Sequence, residues 1–152
     1  MSGFGIVGTG VIAAMHAAAI QTLPGARLAA VTDVAEEAAT AFAAARGCAA
    51  EPSLDTLLAR PDVDVVCVCV PSGQHADVGV RAARAGKHLV VEKPIDVTLV
   101  AADRLIESAL AAGYPHWISV EWEKRWHPEI EEPEVALPQH LDLLTRWLGA
   151  AS

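Results

Sequence analysis

The chain has 152 residues, 53% hydrophobic and 20% charged. That is enough apolar material for one packed domain with at most a short appendage, and it excludes a disordered chain. A net charge of −8 argues against nucleic acid or a membrane surface as partner, but not against an anion held locally by backbone N–H groups. The three cysteines, an odd number, form no disulfide framework and fit a reducing cytoplasm.

Strands and helices are expected to alternate. Phe4–Val7 reads as a short apolar strand, Gly8–Gly10 as a turn and Val11–Thr22 as a helix with alanine at its close-packing positions. This apolar opening has no basic flank, the first Lys or Arg being Arg27, so it does not read as a signal peptide. No apolar run reaches the length of a membrane span. Pro24-Gly25 breaks the helix, Arg27–Thr32 is the second strand, and Ala35–Arg46 is a helix stopped by Gly47. A short strand near Cys48–Ala50 precedes a small helix from the N-cap Ser53 to Ala59. Val63–Val70 is a nearly unbroken Val/Cys run, as in a parallel strand covered on both faces. A helix over His75–Ala85 ends at Gly86, His88–Val91 is a strand, Thr98–Ala112 is a helix ending at Gly113, and Trp117–Val120 is one more strand. The pattern predicts an α/β fold, a doubly wound parallel sheet with right-handed crossovers.

Composition changes near Gly113. Of thirty alanines only three lie beyond it, whereas all four tryptophans do. The expected division is a domain over 1–120 and an appendage over 121–152. Cys67 and Cys69, two apart, share one strand face as small apolar residues, since no second ligand pair follows at zinc spacing.

The first chemical motif is Gly8-Thr9-Gly10-Val11-Ile12-Ala13, a G-x-G-x-x-A turn leaving a strand and opening a helix. Gly8 permits the turn, Gly10 lets a ligand approach the backbone, and Ala13 lets the helix pack on the sheet. The helix N-terminus offers N–H groups and a partial positive charge to a diphosphate. Asp33 closes the second strand twenty residues after Ala13, where a dinucleotide-binding unit places its ribose carboxylate; the alternative is a helix N-cap before Ala35. No Lys or Arg follows until Arg46, and Glu36 and Glu37 add negative charge, so NAD is favoured over NADP. Glu92-Lys93-Pro94 follows the strand His88–Val91, at the strand end that faces the ligand crevice, and Pro71-Ser72-Gly73-Gln74-His75 ends the strand before it. His16, His88 and His116 have no partner at ligand spacing and read as packing or surface residues.

These residues resemble the Gfo/Idh/MocA family of nicotinamide-dependent oxidoreductases. The resemblance is carried by GIVGTGVIA (5–13), VTD (31–33), DVVCVCVPSGQHADV (64–78), AGKHLVVEKPIDVT (85–98) and, more loosely, VEWEKRWHP (120–128). It implies a Rossmann domain for NAD(H) or NADP(H), normally followed by a larger α/β domain that shapes a sugar or polyol pocket and mediates oligomers. Position by position it implies that Gly8, Gly10 and Ile12 line the pyrophosphate, with Thr9 and Val11 also in the cofactor site, and that Asp33 takes the adenosine ribose. Pro71, Ser72 and His75 would border the cofactor, Glu92 and Lys93 would reach the nicotinamide ribose and the substrate hydroxyl, and Arg125 would sit near the nicotinamide end. Pro94 is often cis in the family. The implied reaction is hydride transfer between the cofactor and a secondary alcohol, with Lys93 polarising the hydroxyl and partial burial lowering its pKa.

The family's proton-relay segment D-x-x-x-H has no match here. His140–Gly149 is only weakly similar to the helix after that segment; Ala136 stands where the Asp would, and Leu137, Leu141, Leu144 and Leu148 fall on one face of a packing helix. Trp122, Trp126 and Trp147 would cover apolar surface or form a dimer contact. Three readings compete: an oxidoreductase active alone or completed by a second copy or partner chain, a nucleotide-binding protein or truncated remnant without turnover, and a methyltransferase using the glycine loop for S-adenosylmethionine. The last explains neither P-x-x-x-H nor E-K-P.

Overall fold

Runs of Val, Ala, Ile and Cys without polar alternation have no water-facing side, and they become strands sandwiched between helices. The computed structural model describes residues 1–113, 129 and 132–149, and the chain divides into two compact units, Met1–Tyr114 and Pro115–Ser152. In the first unit the order is β1 (Ser2–Val7), α1 (Val11–Thr22), β2 (Ala26–Thr32), α2 (Glu36–Arg46), β3 (Ala49–Ala50), α3 (Leu54–Leu58), β4 (Val65–Val68), α4 (His75–Arg84), β5 (His88–Val91) and α5 (Leu99–Ala111). A 3-10 turn, Ser72–Gln74, precedes α4.

All strand pairs are parallel, and the sheet runs β3-β2-β1-β4-β5. The chain winds outward from β1 in one direction and then from β4 in the other, leaving a crevice where their carboxyl ends diverge. Ile6, Cys67 and Cys69 pack with Ala13, Ala17, Ile20 and Ala43 of α1 and α2 on one face. Val7, Val66 and Val68 pack with Leu57, Leu58 and Ala82 of α3 and α4 on the other. An irregularity between Phe4 and Gly5 leaves Ala29 without a direct partner on β1. The extra residue shifts the alternation of β2, so that Leu28 and Val31, three apart, join the same face.

The local signals act where their chemistry requires. Ser53 caps α3 by accepting from Thr56 N–H in a reciprocal capping box, and Thr98 caps α5 by accepting from Ala101 N–H. Gly47 ends α2 in the left-handed region at φ 67°.

Some bounds differ from expectation. The ladder of β4 covers only Val65–Val68, because its partner segments end opposite Val68 at Val7 and Val91; the Cys69 N–H still reaches Val7 C=O at 2.8 Å. Helix α2 is capped by Ala35, not Asp33, although Asp33 Oδ1 accepts the Ala35 N–H at 2.9 Å. The expected strand Trp117–Val120, Arg125, Trp122 and Trp126 lie outside the described residues, as does the side chain of Trp147.

In the second unit α6 (Pro133–Gly149) is a helix with Pro138 inside it. Leu137 and Leu141 are exposed while Ala136 is buried; the side chains of Leu144 and Leu148, the other two of the expected stripe, lie outside the described residues. A long side chain is buried by what packs beside it, and periodicity alone does not supply a partner. Among the described residues no helix is long and apolar enough to cross a membrane.

Candidate active site

Three loops meet at the carboxyl edge of the sheet, where β1 and β4 part. The first is the turn from β1 to α1. Gly8 takes φ 91°, and a Cβ there would lie 2.6 Å from the Cys69 carbonyl oxygen, so both backbone shape and space demand glycine. Gly10 is different. It is the N-cap of α1 with ordinary extended angles (φ −71°, ψ −170°), and a Cβ on it would meet nothing within 4 Å. The fold itself has no need of glycine at this position. Gly10 has no side chain to cap the helix, and the first turn of α1 carries no acidic residue. Val11 is exposed, whereas the Ile12 side chain packs inward against the core.

The second loop follows β2. Asp33 turns back onto the glycine loop: its Oδ2 accepts the Thr9 N–H at 2.7 Å and the Thr9 hydroxyl at 2.8 Å. Burial alone would raise its pKa, but the hydrogen bonds from Ala35 and Thr9 outweigh that and hold the carboxyl below its ordinary value. Asp33 is therefore an ionised carboxylate at neutral pH, with one oxygen on Thr9 and the other on Ala35. A carboxylate has about four acceptor positions, so capacity remains for a hydroxyl donor.

The third loop is Glu92–Asp96, after β5, with a cis peptide at Lys93–Pro94. Three tethers hold it. Glu92 Oε1 accepts from His16 Nε2 of α1 at 2.5 Å. The Pro94 carbonyl lies 2.8 Å from His75 Nδ1. Asp96 Oδ2 accepts the Ala76 N–H at 2.8 Å, so a distant side chain caps α4, whose own cap residue, Gln74, makes no such bond. The hydrogen bond from Ala76, working against burial and helped by Val97 N–H and by the charges of His75 and Arg104, lowers the Asp96 pKa. Lys93 stands at the head of this tethered turn and is exposed. The described residues do not supply the partial burial expected for it, because a strand's carboxyl end opens into the crevice.

The structure thus gathers Gly8, Thr9, Gly10, Val11, Asp33, Glu92 and Lys93 along one edge, with Pro71 and the half-buried Ser72 at the end of β4. It sets His75 apart: the ring is 1% exposed, and its second nitrogen, Nε2, lies 2.9 Å from the Val70 carbonyl. Sequence reading missed two contributors. His16 was expected to lack a partner and instead pairs with Glu92, a residue 76 positions away. The only hint was its place one helical turn beyond Ile12, on the helix that the glycine loop opens. Asp96 had no signal beyond its nearness to Glu92-Lys93-Pro94.

Beneath the loops, Cys67 and Cys69 are buried, and desolvation, with minor repulsion between the two for Cys69 and from Glu92 for both, pushes the thiols up to about 12. They are neutral packing atoms. Among the described residues no group of three or more His, Cys, Asp or Glu is placed to hold a metal ion.

A parallel sheet in this order, with a glycine turn into a helix and an acid at the end of β2, defines a dinucleotide-binding domain of the Rossmann type. The family model described as "Oxidoreductase family, NAD-binding Rossmann fold" (Gfo/Idh/MocA) matches residues 2–119, and the chain belongs to that family. It is 45% identical over 94 residues to an inositol 2-dehydrogenase of Rhizobium meliloti, covering 62% of this chain and 28% of that protein. Among solved structures it is similar to a putative myo-inositol dehydrogenase of Sinorhizobium meliloti, with TM-score 0.70 and 37% identity over 74% of this chain and 34% of that one. It is also similar to the WlbA dehydrogenase of Bordetella pertussis in complex with NADH and UDP-GlcNAcA, with TM-score 0.70 and 33% identity over 74% of this chain and 33% of that one. The chain therefore spans about a third of the length of these relatives.

Proposed function

We propose that this chain binds NAD(H) across the β1/β4 crevice and takes part in hydride transfer to or from a secondary alcohol of a sugar or polyol. One observation carries the reading: Gly10 is glycine although neither its backbone angles nor its neighbours require it. The space over an uncapped helix N-terminus is kept clear, which suits a diphosphate approaching the N–H groups of Val11, Ile12 and Ala13. Asp33 would accept an adenosine-ribose hydroxyl on its remaining acceptor capacity. Its negative charge, joined by Glu36 and Glu37 in the first turn of α2, opposes a 2′-phosphate and favours NAD over NADP.

When bound, the nicotinamide supplies or accepts the hydride at C4. This chain's residues would handle the proton. The Lys93 ammonium would donate a hydrogen bond to the substrate oxygen, releasing a proton to a forming alkoxide in reduction and, in its neutral form, taking one from the hydroxyl in oxidation. The Lys93 and Glu92 backbone is held by the His16, His75 and Asp96 tethers, so the amine works from a fixed base. The substrate class rests on the names of the relatives, among them inositol 2-dehydrogenase.

NADH titration of the full chain, followed by fluorescence, tests the binding half. Gly10→Ala is expected to leave stability within about 0.5 kcal/mol while weakening NADH by more than about tenfold, roughly 1.4 kcal/mol. Equal affinity in the two proteins would remove the reading. Reduction of NAD with a panel of polyols and sugars tests the other half: Lys93→Ala should abolish turnover and keep NADH affinity. Binding without turnover on any alcohol, in the presence of candidate partner proteins, would instead favour the nucleotide-binding protein without chemistry.

A further inference from the structure

Among the described residues His75 is the largest polar side chain sealed in the fold, at 1% exposure, and both of its ring nitrogens face backbone carbonyls. Nδ1 lies 2.8 Å from Pro94 O and Nε2 2.9 Å from Val70 O. A carbonyl oxygen only accepts, and a neutral imidazole has one N–H donor and one bare acceptor nitrogen. A neutral ring would therefore set a lone pair against a carbonyl oxygen at hydrogen-bond distance, with no room for water between them. We propose that His75 is held as a doubly protonated imidazolium, and that its two N–H groups clamp the end of β4 to the Glu92–Asp96 turn and so position Lys93.

A buried cation needs a counter-charge, and the surroundings provide one. Asp96 belongs to the clamped turn and bonds the N–H of the next residue, Ala76; chiefly that bond holds its carboxyl below the ordinary value, so it stands ionised near the ring. The N-terminal end of α4 opposes a cation at its first residue, and the same Asp96 carboxylate, seated on that end, offsets it. Of the other charged groups nearby, Arg104 of α5 pairs with Asp77 of α4, Glu92 takes the His16 bond, and Lys93 stands at the exposed head of the turn. The clamp closes a ring of contacts. From β4 it runs through Val70 to His75, from His75 to Pro94, and from Asp96 back to Ala76 beside His75. Neither carbonyl belongs to a strand ladder or a helix, so the fold engages them through this side chain.

His75 is thus a positioning residue, and its part in turnover rests on the proposed Lys93 chemistry. The protonation state does not, and can be read directly. Long-range proton–nitrogen correlation spectra of the full chain, labelled at histidine, should show two exchange-protected N–H groups on His75 at neutral pH. A ring with one bare nitrogen at that pH would overturn the proposal. In His75→Gln, whose single amide nitrogen cannot bridge both carbonyls, exchange of the Ala76 N–H should accelerate by about tenfold over the trend of the other α4 amides, roughly the loss of one hydrogen bond. Unchanged Ala76 exchange in that variant also refutes the clamp. If His75→Gln does not fold, the spectra of the unaltered chain decide alone. Two protected N–H groups in a chain that does not bind NADH would sink the cofactor reading and leave the clamp standing. NADH binding with a neutral ring would do the reverse.

Discussion

Removing the Asp33 carboxylate should loosen the glycine loop before any ligand is considered. In Asp33→Ala three accepted hydrogen bonds disappear, from Thr9 N–H at 2.7 Å, the Thr9 hydroxyl at 2.8 Å and Ala35 N–H at 2.9 Å. Water replaces the exposed Ala35 contact readily, so only the two Thr9 bonds are counted. Bonds to a charged acceptor are worth about 1.5–3 kcal/mol each when sheltered, and partial exposure reduces that to about 1 kcal/mol each. The expected loss is about 2 kcal/mol, or roughly 8–15 °C in Tm for a domain near 100 residues. Thr9→Val removes the hydroxyl bond alone and should cost about 1 kcal/mol. Because both changes break the same contact, the double variant should cost no more than Asp33→Ala, a coupling of about 1 kcal/mol. Urea unfolding of the four proteins, followed by circular dichroism, measures the cycle. Strict additivity of the two single losses would refute the argument that Thr9 and Asp33 act as a unit. The pH dependence has a definite sign. The folded-state pKa of Asp33 is depressed, so its stabilisation is present above the ordinary carboxylate value of about 4 and is lost as pH falls through the folded value. In Asp33→Ala that part of the acid destabilisation should be missing.

Other consequences concern the frame under the site. Cys67 and Cys69 should resist an aromatic disulfide reagent in the native chain at pH 8, their thiols being buried and pushed up to about 12; half-buried Cys48 reacts first, and all three react in denaturant. Gly8→Ala forces a Cβ to 2.6 Å from a carbonyl at φ 91° and should destabilise by about 1–3 kcal/mol or more, in contrast to the near-neutral Gly10→Ala; comparable melting curves for the two variants would contradict the distinction. Leu57, fully buried against the sheet on α3, should lose about 2–5 kcal/mol on truncation to alanine, read as a lower urea midpoint with unchanged slope.

The sequence by itself determined the order of elements, the parallel sheet and the edge of the sheet where the candidate site residues fall. Those features are written locally. The unbroken Val/Cys run needs cover on both faces, Gly47, Gly86 and Gly113 end their helices, Ser53 and Thr98 cap theirs, and the glycine turn into α1 needs no distant residue to be recognised. The tertiary structure alone decided what each polar group at that edge does. Asp33 grips Thr9, 24 positions away. His16 reaches Glu92 across 76 residues, Asp96 caps a helix 20 residues before it, and His75 is sealed between two carbonyls, one of them 19 residues on. None of these pairings has a period or a motif, because a hydrogen bond between loops depends on where the sheet delivers their ends and not on spacing along the chain. The burial of His75 makes the point most plainly: its motif placed it beside a ligand, and the packing around it assigned both ring nitrogens to the backbone.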